Sequence, residues 1–244
     1  ITTKPDGSVV TSADLEANAV ICEALSEEFP TDAVMSEEGP TSADRTERPR
    51  CWVVDPIDGT HHFARGEPGW SVMLALVEDG IPVLGVVARP AKGVLVAGMR
   101  GCGAWREADG TRVAWIPDLD SDGRLRVAMG PNVCNVWNSD VHRVDIRPVG
   151  TGLIALMSVF DEDSHAFIAL PDVRPFEWDI AAPDAIIRSI GGRVTDISGR
   201  LLQYNRPDPG VRAGVIAAIN ADAHARLLCA SRHLLRPGRA APAS

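Results

Sequence analysis

The stretch from Cys51 to Phe63, Cys-Trp-Val-Val-Asp-Pro-Ile-Asp-Gly-Thr-His-His-Phe, constrains this chain more than any other, because an apolar run stops there at two carboxylates. Trp52, Val53 and Val54 read as a buried strand inside a sheet, and Pro56 with Gly59 turns the backbone, so Asp55 should end the strand and Asp58 should sit in the turn. Two carboxylates on a tight turn repel each other unless a cation lies between them, and hard oxygen ligands of this kind suit Mg²⁺. Pro and Asp-Gly are also ordinary turn chemistry, and acidic loop residues are commonly just solvated. The remainder of the chain has to decide between the two.

Acids recur at the ends of elements elsewhere. Residues 1 to 10, with Pro5, Asp6 and Gly7, read as a loop or hairpin tip. From Asp14 onward Leu15, Ala19, Cys22, Leu25 and Phe29 recur at helical spacing, and Pro30 closes an amphipathic helix. Thr11 followed three residues later by Asp14 fits a capping box, so Asp14 has a structural role available. Ala33 to Met35 form a short strand that ends at Ser36, Glu37, Glu38 and Gly39, a second strand stopping at paired carboxylates. Residues 40 to 50 are polar and irregular and read as a mobile loop that does not pack.

Ser71 to Val77, Pro82 to Arg89 and Gly93 to Met99 read as an antiparallel meander that Gly101, Gly103 and the Asp109-Gly110 turn continue. Trp115 to Gly123 reads as a linker. The second half alternates: strands at 124–129, 145–149, 166–170, 193–197 and 214–219, and helices at 153–160, 180–190 and 221–235. Such alternation predicts a layered α/β arrangement. Two halves of one compact unit are expected, 1–120 with the meander and the metal-binding acids, and 121–244 with Asp179 and substrate specificity. Asp179 stands at the start of an apolar helix, where an N-cap role is open to it.

Composition excludes several functions. A net charge of −9 with lysine only at Lys4 and Lys92 offers no basic surface for a nucleic acid. Five widely spaced cysteines, Cys22, Cys51, Cys102, Cys134 and Cys229, form no Cys-x-x-Cys and suggest neither a zinc site nor a disulfide framework, which fits a cytoplasmic protein. No apolar run approaches the roughly 20 residues that span a bilayer.

Four ordered motifs carry a family resemblance: Lys4-Pro-Asp-Gly-Ser8 with Val10-Thr-Ser-Ala-Asp14, Ser36-Glu-Glu-Gly39, Asp55-Pro-Ile-Asp-Gly-Thr60 and Trp178-Asp-Ile-Ala-Ala182. Together they resemble the inositol monophosphatase superfamily of Mg²⁺-dependent, lithium-sensitive phosphatases, over nearly the whole chain. The resemblance implies an αβαβα sandwich of the inositol monophosphatase and fructose-1,6-bisphosphatase type, often a homodimer. It also implies two or three Mg²⁺ ions held by Glu37, Asp55, Asp58, Asp179 and the carbonyl of Ile57, with Asp55 bridging two of them. Asp14, Glu37 and Thr60 are then the catalytic set, Asp14 and the Thr60 hydroxyl positioning the attacking water. Asp58, Asp179 and the backbone amides around Gly59 and Thr60 would hold the phosphate.

Phosphate esters resist hydroxide through charge repulsion, so a site that neutralises charge and lowers the pKa of water suffices, without a covalent nucleophile. His61 and His62 stand where the family commonly has Asn at the second position; the pair invites a metal role, although imidazole suits Zn²⁺ better than Mg²⁺. The segment from Asn132 to Asp140 also departs from the pattern.

The resemblance implies a small phosphorylated metabolite as substrate. Glu177-Trp178-Asp179, Ala182-Pro183 and Leu202 to Asp208 look like the bacterial branch that removes the 3′-phosphate of adenosine 3′,5′-bisphosphate. Gly150 and Thr151 are placed for the leaving group, and Arg206 and Arg174 for a second phosphate. Inositol, histidinol, sugar and nucleoside phosphates are alternatives, as is a catalytically inactive phosphate-binding regulator.

Overall fold

The computed structural model describes residues 1–3, 9–117, 125–129, 156–171 and 174–231, together with the backbone of 144–148. Thr2–Thr3 (β1) pairs antiparallel with Val9–Val10 (β2), and Ser12–Glu28 forms α1. A seven-stranded sheet follows, built from Ala33–Ser36 (β3), Arg50–Asp58 (β4), Ser71–Glu78 (β5), Ile81–Arg89 (β6), Val94–Met99 (β7), Gly103–Ala108 (β8) and Thr111–Ala114 (β9). Its strands stand in chain order; β3 and β4 are parallel and all later neighbours antiparallel. Between β4 and β5 lies the short helix α2, Thr60–Ala64.

A five-stranded sheet contains Leu125–Met129 (β10), Val144–Pro148 (β11), Ala166–Ala169 (β12), Arg193–Thr195 (β13) and Val215–Ala218 (β14), in the order β11-β10-β12-β14-β13. Three helices complete it: Met157–Phe160 (α3), Glu177–Ser189 (α4) and Ala221–Ser231 (α5).

Strand alternation sorts the layers. Along β4, Trp52 and Val54 face outward into a cluster with Leu25 of α1, Leu76 and Val83, whereas Cys51 and Val53 face inward. The inward face packs on Ile180, Ala181, Ile186 and Ile187 of α4, which also meets Phe167, Val215 and Ala217 of the second sheet. On the far side of that sheet Leu125, Val127 and Ile216 pack against Ala223 and Leu227 of α5. The order α1, sheet, α4, sheet, α5 is the αβαβα sandwich that the sequence implied.

Several local readings change. Helix α1 forms where expected, but Leu15 is 52% exposed; the face turned inward carries Asp14, Asn18, Ile21 and Leu25 instead. Hydrophobic spacing missed that face because half of it is polar and serves the site. Residues 40–50 include a 3₁₀ turn at Arg45–Glu47, and Arg45 is buried. Its guanidinium donates to Asn205 Oδ1 at 2.8 Å and to the carbonyls of Arg206 and Pro207 at 2.6 and 3.2 Å. Trp115 is likewise no linker residue, for it is buried with its ring 5.4 Å from that of Phe160. Gly150, Thr151, Asn132 to Asp140 and the Lys4 to Ser8 motif lie outside the described residues.

The seat of α4 depends on two glycines. Gly85 of β6 and Gly98 of β7 are directly opposed in register. A Cβ on Gly85 would run into the Ala182 carbonyl and come within 3.0 Å of Ala185 Cβ, and one on Gly98 would come within 2.9 Å of Ile186 Cα. Backbone lies on both sides, so neither contact relaxes by rotating a side chain. Gly85→Ala should therefore destabilise the protein by about 1–3 kcal/mol in urea unfolding, the typical cost of overpacking.

Candidate active site

Period-two alternation carries Asp55 onto the same inward face as Cys51 and Val53, so the strand itself delivers this carboxylate to the central layer. Asp55 pairs with Met73 and Asp58 with Ser71, so three steps along β4 match two along β5. This bulge absorbs Pro56, which has no N–H to give the ladder, and turns the second acid back toward the first. The strand consequently runs through to Asp58 rather than ending at Asp55 as the composition suggested. Gly59 then adopts φ 82°, a left-handed conformation suited to glycine, and starts α2 at Thr60.

Asp179 arrives from the opposite side. Helix α4 begins at Glu177, three residues earlier than expected, so Asp179 is its third residue and not its N-cap. Its Oδ2 accepts the backbone N–H of the true cap, Phe176, at 2.6 Å. Carboxylate oxygens of Asp55, Asp58 and Asp179 all lie within 4.8 Å of one another. Glu37 begins the connection after β3, its N–H donating to Val54 O at 3.2 Å. Its carboxylate is not part of that tight trio, yet its charge acts on all three acids.

The electrostatics of this arrangement are unfavourable by themselves. Asp55 is 1% exposed, and neither of its carboxylate oxygens has a hydrogen-bond partner. Burial first, and then the charges of Asp58, Glu37 and Asp179, push its carboxyl well above the usual carboxylate range. Asp179 is raised in the same way, by burial and then by Asp58. Asp58 is pushed up to about 6, chiefly by burial, with the Ser71 hydroxyl donating to its Oδ2 at 3.3 Å in partial compensation. A buried, partnerless carboxylate among like charges is costly unless a cation accompanies it. An all-oxygen donor set without sulfur or imidazole fits a hard divalent ion such as Mg²⁺.

A second unit flanks the acids. Asp14 Oδ2 accepts the N–H and the hydroxyl of Thr11 at 2.9 and 2.5 Å, which anchors the carboxylate at the start of α1. Its other oxygen, Oδ1, lies 2.9 Å from the Thr60 hydroxyl, which also lies 3.1 Å from the Ile57 carbonyl. That carbonyl retains a second lone pair. His62 does not join the acids: its Nδ1 lies 2.5 Å from Glu67 Oε2, and the His61 ring lies against it with centroids 4.0 Å apart and planes inclined by 45°.

Arg206 is held at the site's edge by Glu177, its Nε 3.1 Å from Glu177 Oε1 and its Nη2 donating to the Gly210 carbonyl at 2.8 Å. Sequence reasoning noted Glu177 only as part of a specificity motif and gave Ser71 and Arg45 no part in the site. Their partners are 13 to 162 residues away, beyond any local pattern.

Comparison with known proteins places the chain among characterised relatives. Residues 2–236 match the model of the inositol monophosphatase family. The chain is 39% identical over 224 residues to the 3′(2′),5′-bisphosphate nucleotidase CysQ of Escherichia coli K12, covering 88% of this chain and 89% of that protein. It is 35% identical to the histidinol-phosphatase of Mycobacterium tuberculosis over 212 residues, 82% of this chain and 78% of the relative. Among solved structures, CysQ from Bacteroides thetaiotaomicron superposes with a TM-score of 0.72 at 25% identity, covering 89% of this chain and 87% of that one.

The raised carboxyls fix the sign of a pH effect. A group whose folded pKa exceeds its unfolded value binds its proton more tightly in the folded state, so stability is lost as pH rises through the folded pKa. For Asp58 that window runs from about 4 to about 6. In EDTA the melting temperature should therefore fall as pH rises across this window, and Mg²⁺ should restore it at pH 7. Asp58→Asn should raise the melting temperature of the metal-free protein at pH 7 and remove most of the Mg²⁺ response.

Proposed function

This chain belongs to the inositol monophosphatase family, and on that premise we propose that it is a magnesium-dependent phosphatase whose preferred substrate is a nucleoside 3′,5′-bisphosphate. The family and the relatives named above are phosphomonoester hydrolases. The observation that carries the reading is the burial of Asp55 with both carboxylate oxygens unpartnered, against Asp58 and Asp179. An inactive phosphate-binding regulator would have no need to keep so costly an arrangement.

Glu37, Asp55, Asp58, Asp179 and the Ile57 carbonyl are the groups that would hold Mg²⁺, which supplies charge neutralisation and a lowered pKa for water. The protein's own contribution begins with Asp14. By accepting a hydrogen bond from the Thr60 hydroxyl, its carboxylate leaves the Thr60 oxygen with lone pairs free to accept a hydrogen bond from water. That hydrogen bond orients a water for attack on phosphorus; as its O–P bond forms and the P–O bond to the alcohol breaks, the proton released from the water passes to the departing alkoxide. The N–H groups of Thr60 and His61, at the start of α2, precede those that bond to the Gly59 carbonyl and offer donors to phosphate oxygens. Products are inorganic phosphate and the free hydroxyl, with no covalent intermediate on the protein.

The nucleotide choice rests on 39% identity to the CysQ nucleotidase across 88% of the chain. A second reading, histidinol phosphate, is supported by the mycobacterial relative. Phosphate release with Mg²⁺ from adenosine 3′,5′-bisphosphate, histidinol phosphate and inositol 1-phosphate, measured in parallel, decides between them. The expected result is the highest kcat/KM on the bisphosphate; turnover of another ester with none on the nucleotide would overturn the choice. Asp55→Asn should lower kcat at least 10³-fold while leaving the far-ultraviolet circular dichroism spectrum unchanged.

A further inference from the structure

Phe176 occupies a position whose usual capping task its side chain cannot perform. It caps α4, where Ser, Thr, Asp or Asn would normally accept a backbone N–H, and a phenyl ring cannot do so. Capping falls to Asp179, which takes the Phe176 N–H. The Phe176 ring is 40% exposed and lies on the Trp178 ring with centroids 4.7 Å apart and planes inclined by 11°. Trp178 in turn packs against the central core, so the outer ring rests on a rigid backing.

Location gives this shelf its significance. The backbone N–H of Phe176 bonds to a carboxylate of the acidic trio, so the shelf is built on the same turn that delivers Asp179 to the acids. The backbone beneath it is pinned on both sides: Glu177 N–H donates to Pro209 O at 2.9 Å, and Val211 N–H to Pro175 O at 2.7 Å. Two residues before Phe176, Arg174 is exposed and held at φ 48°, a left-handed conformation uncommon for a side-chain-bearing residue. Its guanidinium has no acidic partner among the described residues. Arg206 differs, with two nitrogens already engaged by Glu177 and Gly210.

We propose that Phe176, backed by Trp178, and Arg174 form a subsite for a heteroaromatic ligand with a second phosphate, the base stacking on Phe176 and the unhydrolysed phosphate meeting Arg174. An aromatic shelf accepts any base through its π-face, and a guanidinium fork matches phosphate oxygens. A polyol ester offers neither feature. The inference deepens the nucleotide reading above and rests on it.

The test compares kcat/KM on adenosine 3′,5′-bisphosphate, adenosine 3′-monophosphate and a non-aromatic ester, inositol 1-phosphate or glycerol 2-phosphate. Base stacking is worth about 1–3 kcal/mol, so Phe176→Leu should lower the ratio of bisphosphate to non-aromatic turnover by roughly 5- to 150-fold, and Phe176→Tyr should preserve it. Arg174→Gln should lower the ratio of bisphosphate to monophosphate turnover about tenfold. Fluorescence titration with adenosine 5′-monophosphate, the product, should show weaker binding for Phe176→Leu and wild-type binding for Phe176→Tyr.

If Phe176→Leu reduces all esters equally, the ring is structural and the subsite is refuted. If the wild type hydrolyses the bisphosphate and Phe176→Leu changes neither ratio nor binding, the subsite alone is refuted. If the wild type ignores the bisphosphate and hydrolyses the non-aromatic ester, the nucleotide reading falls and takes the subsite with it.

Discussion

The mutual repulsion of buried carboxylates is the constraint on which the rest of this structure depends. Asp55, Asp58 and Asp179 lie with oxygens within 4.8 Å of one another, and Asp55 has no donor to either oxygen. Folding alone gives no reason to assemble them, since burial and then the charge of Asp58 raise the carboxyl pKa of Asp55 and Asp179, and each acid would be more stable in water. The cost is met by scaffold. The inward face of β4, the bulge after Asp55, and α4 seated on the Gly85 and Gly98 pair are packed apolar elements whose ends are the acids. Stability resides in the layers, and the site takes part of it back.

Several acids perform two tasks with their two oxygens. Asp14 uses Oδ2 to hold Thr11 at the start of α1 and Oδ1 to orient Thr60. Asp179 uses Oδ2 to cap α4 through Phe176, while its carboxylate stays in the trio. A capping role and a site role are therefore not rivals at these positions. The cap fixes the side-chain rotamer, and a fixed rotamer is what lets a carboxylate stay among like charges.

This duality explains what the sequence could and could not reveal. Strands, layers and the acids at their ends follow from apolar runs, turn residues and four ordered motifs; the alternation gives a layered α/β arrangement, and the αβαβα order is what the family resemblance implies. Helix α1 misled because its inward face carries Asp14 and Asn18, residues that a hydrophobic pattern assigns to water. Asn18 accepts the Ser36 hydroxyl at 2.6 Å, so the polar face is a contact with β3 and not a solvated surface. Arg45 misled for the opposite reason, since a loop of Asp, Thr, Glu and Arg contains nothing to foretell that one arginine is buried. Its acceptors lie some 160 residues later in the chain. Local patterns cannot encode a partner at that distance.

That buried arginine also shows how the two sides of the cleft are kept in register before any ion arrives. Arg45 lies eight residues after Glu37 and binds Asn205 Oδ1 and the Arg206 carbonyl, and Asn205 Nδ2 returns a bond to the Arg45 carbonyl at 2.7 Å. Glu177, fully buried, accepts the N–H groups of Asn205 and Arg206 at 2.6 and 3.2 Å and stands two residues before Asp179. A continuous set of hydrogen bonds thus runs from the Glu37 connection to the first turn of α4, bypassing the acids. Since the buried Arg45 guanidinium and the buried Glu177 carboxylate are both hydrogen-bonded, the clamp rigidifies where the acidic trio repels. Repulsion alone would drive Asp179 away from Asp55 in the absence of a cation; the clamp opposes that separation, so the donor set is organised by the protein rather than gathered by the metal.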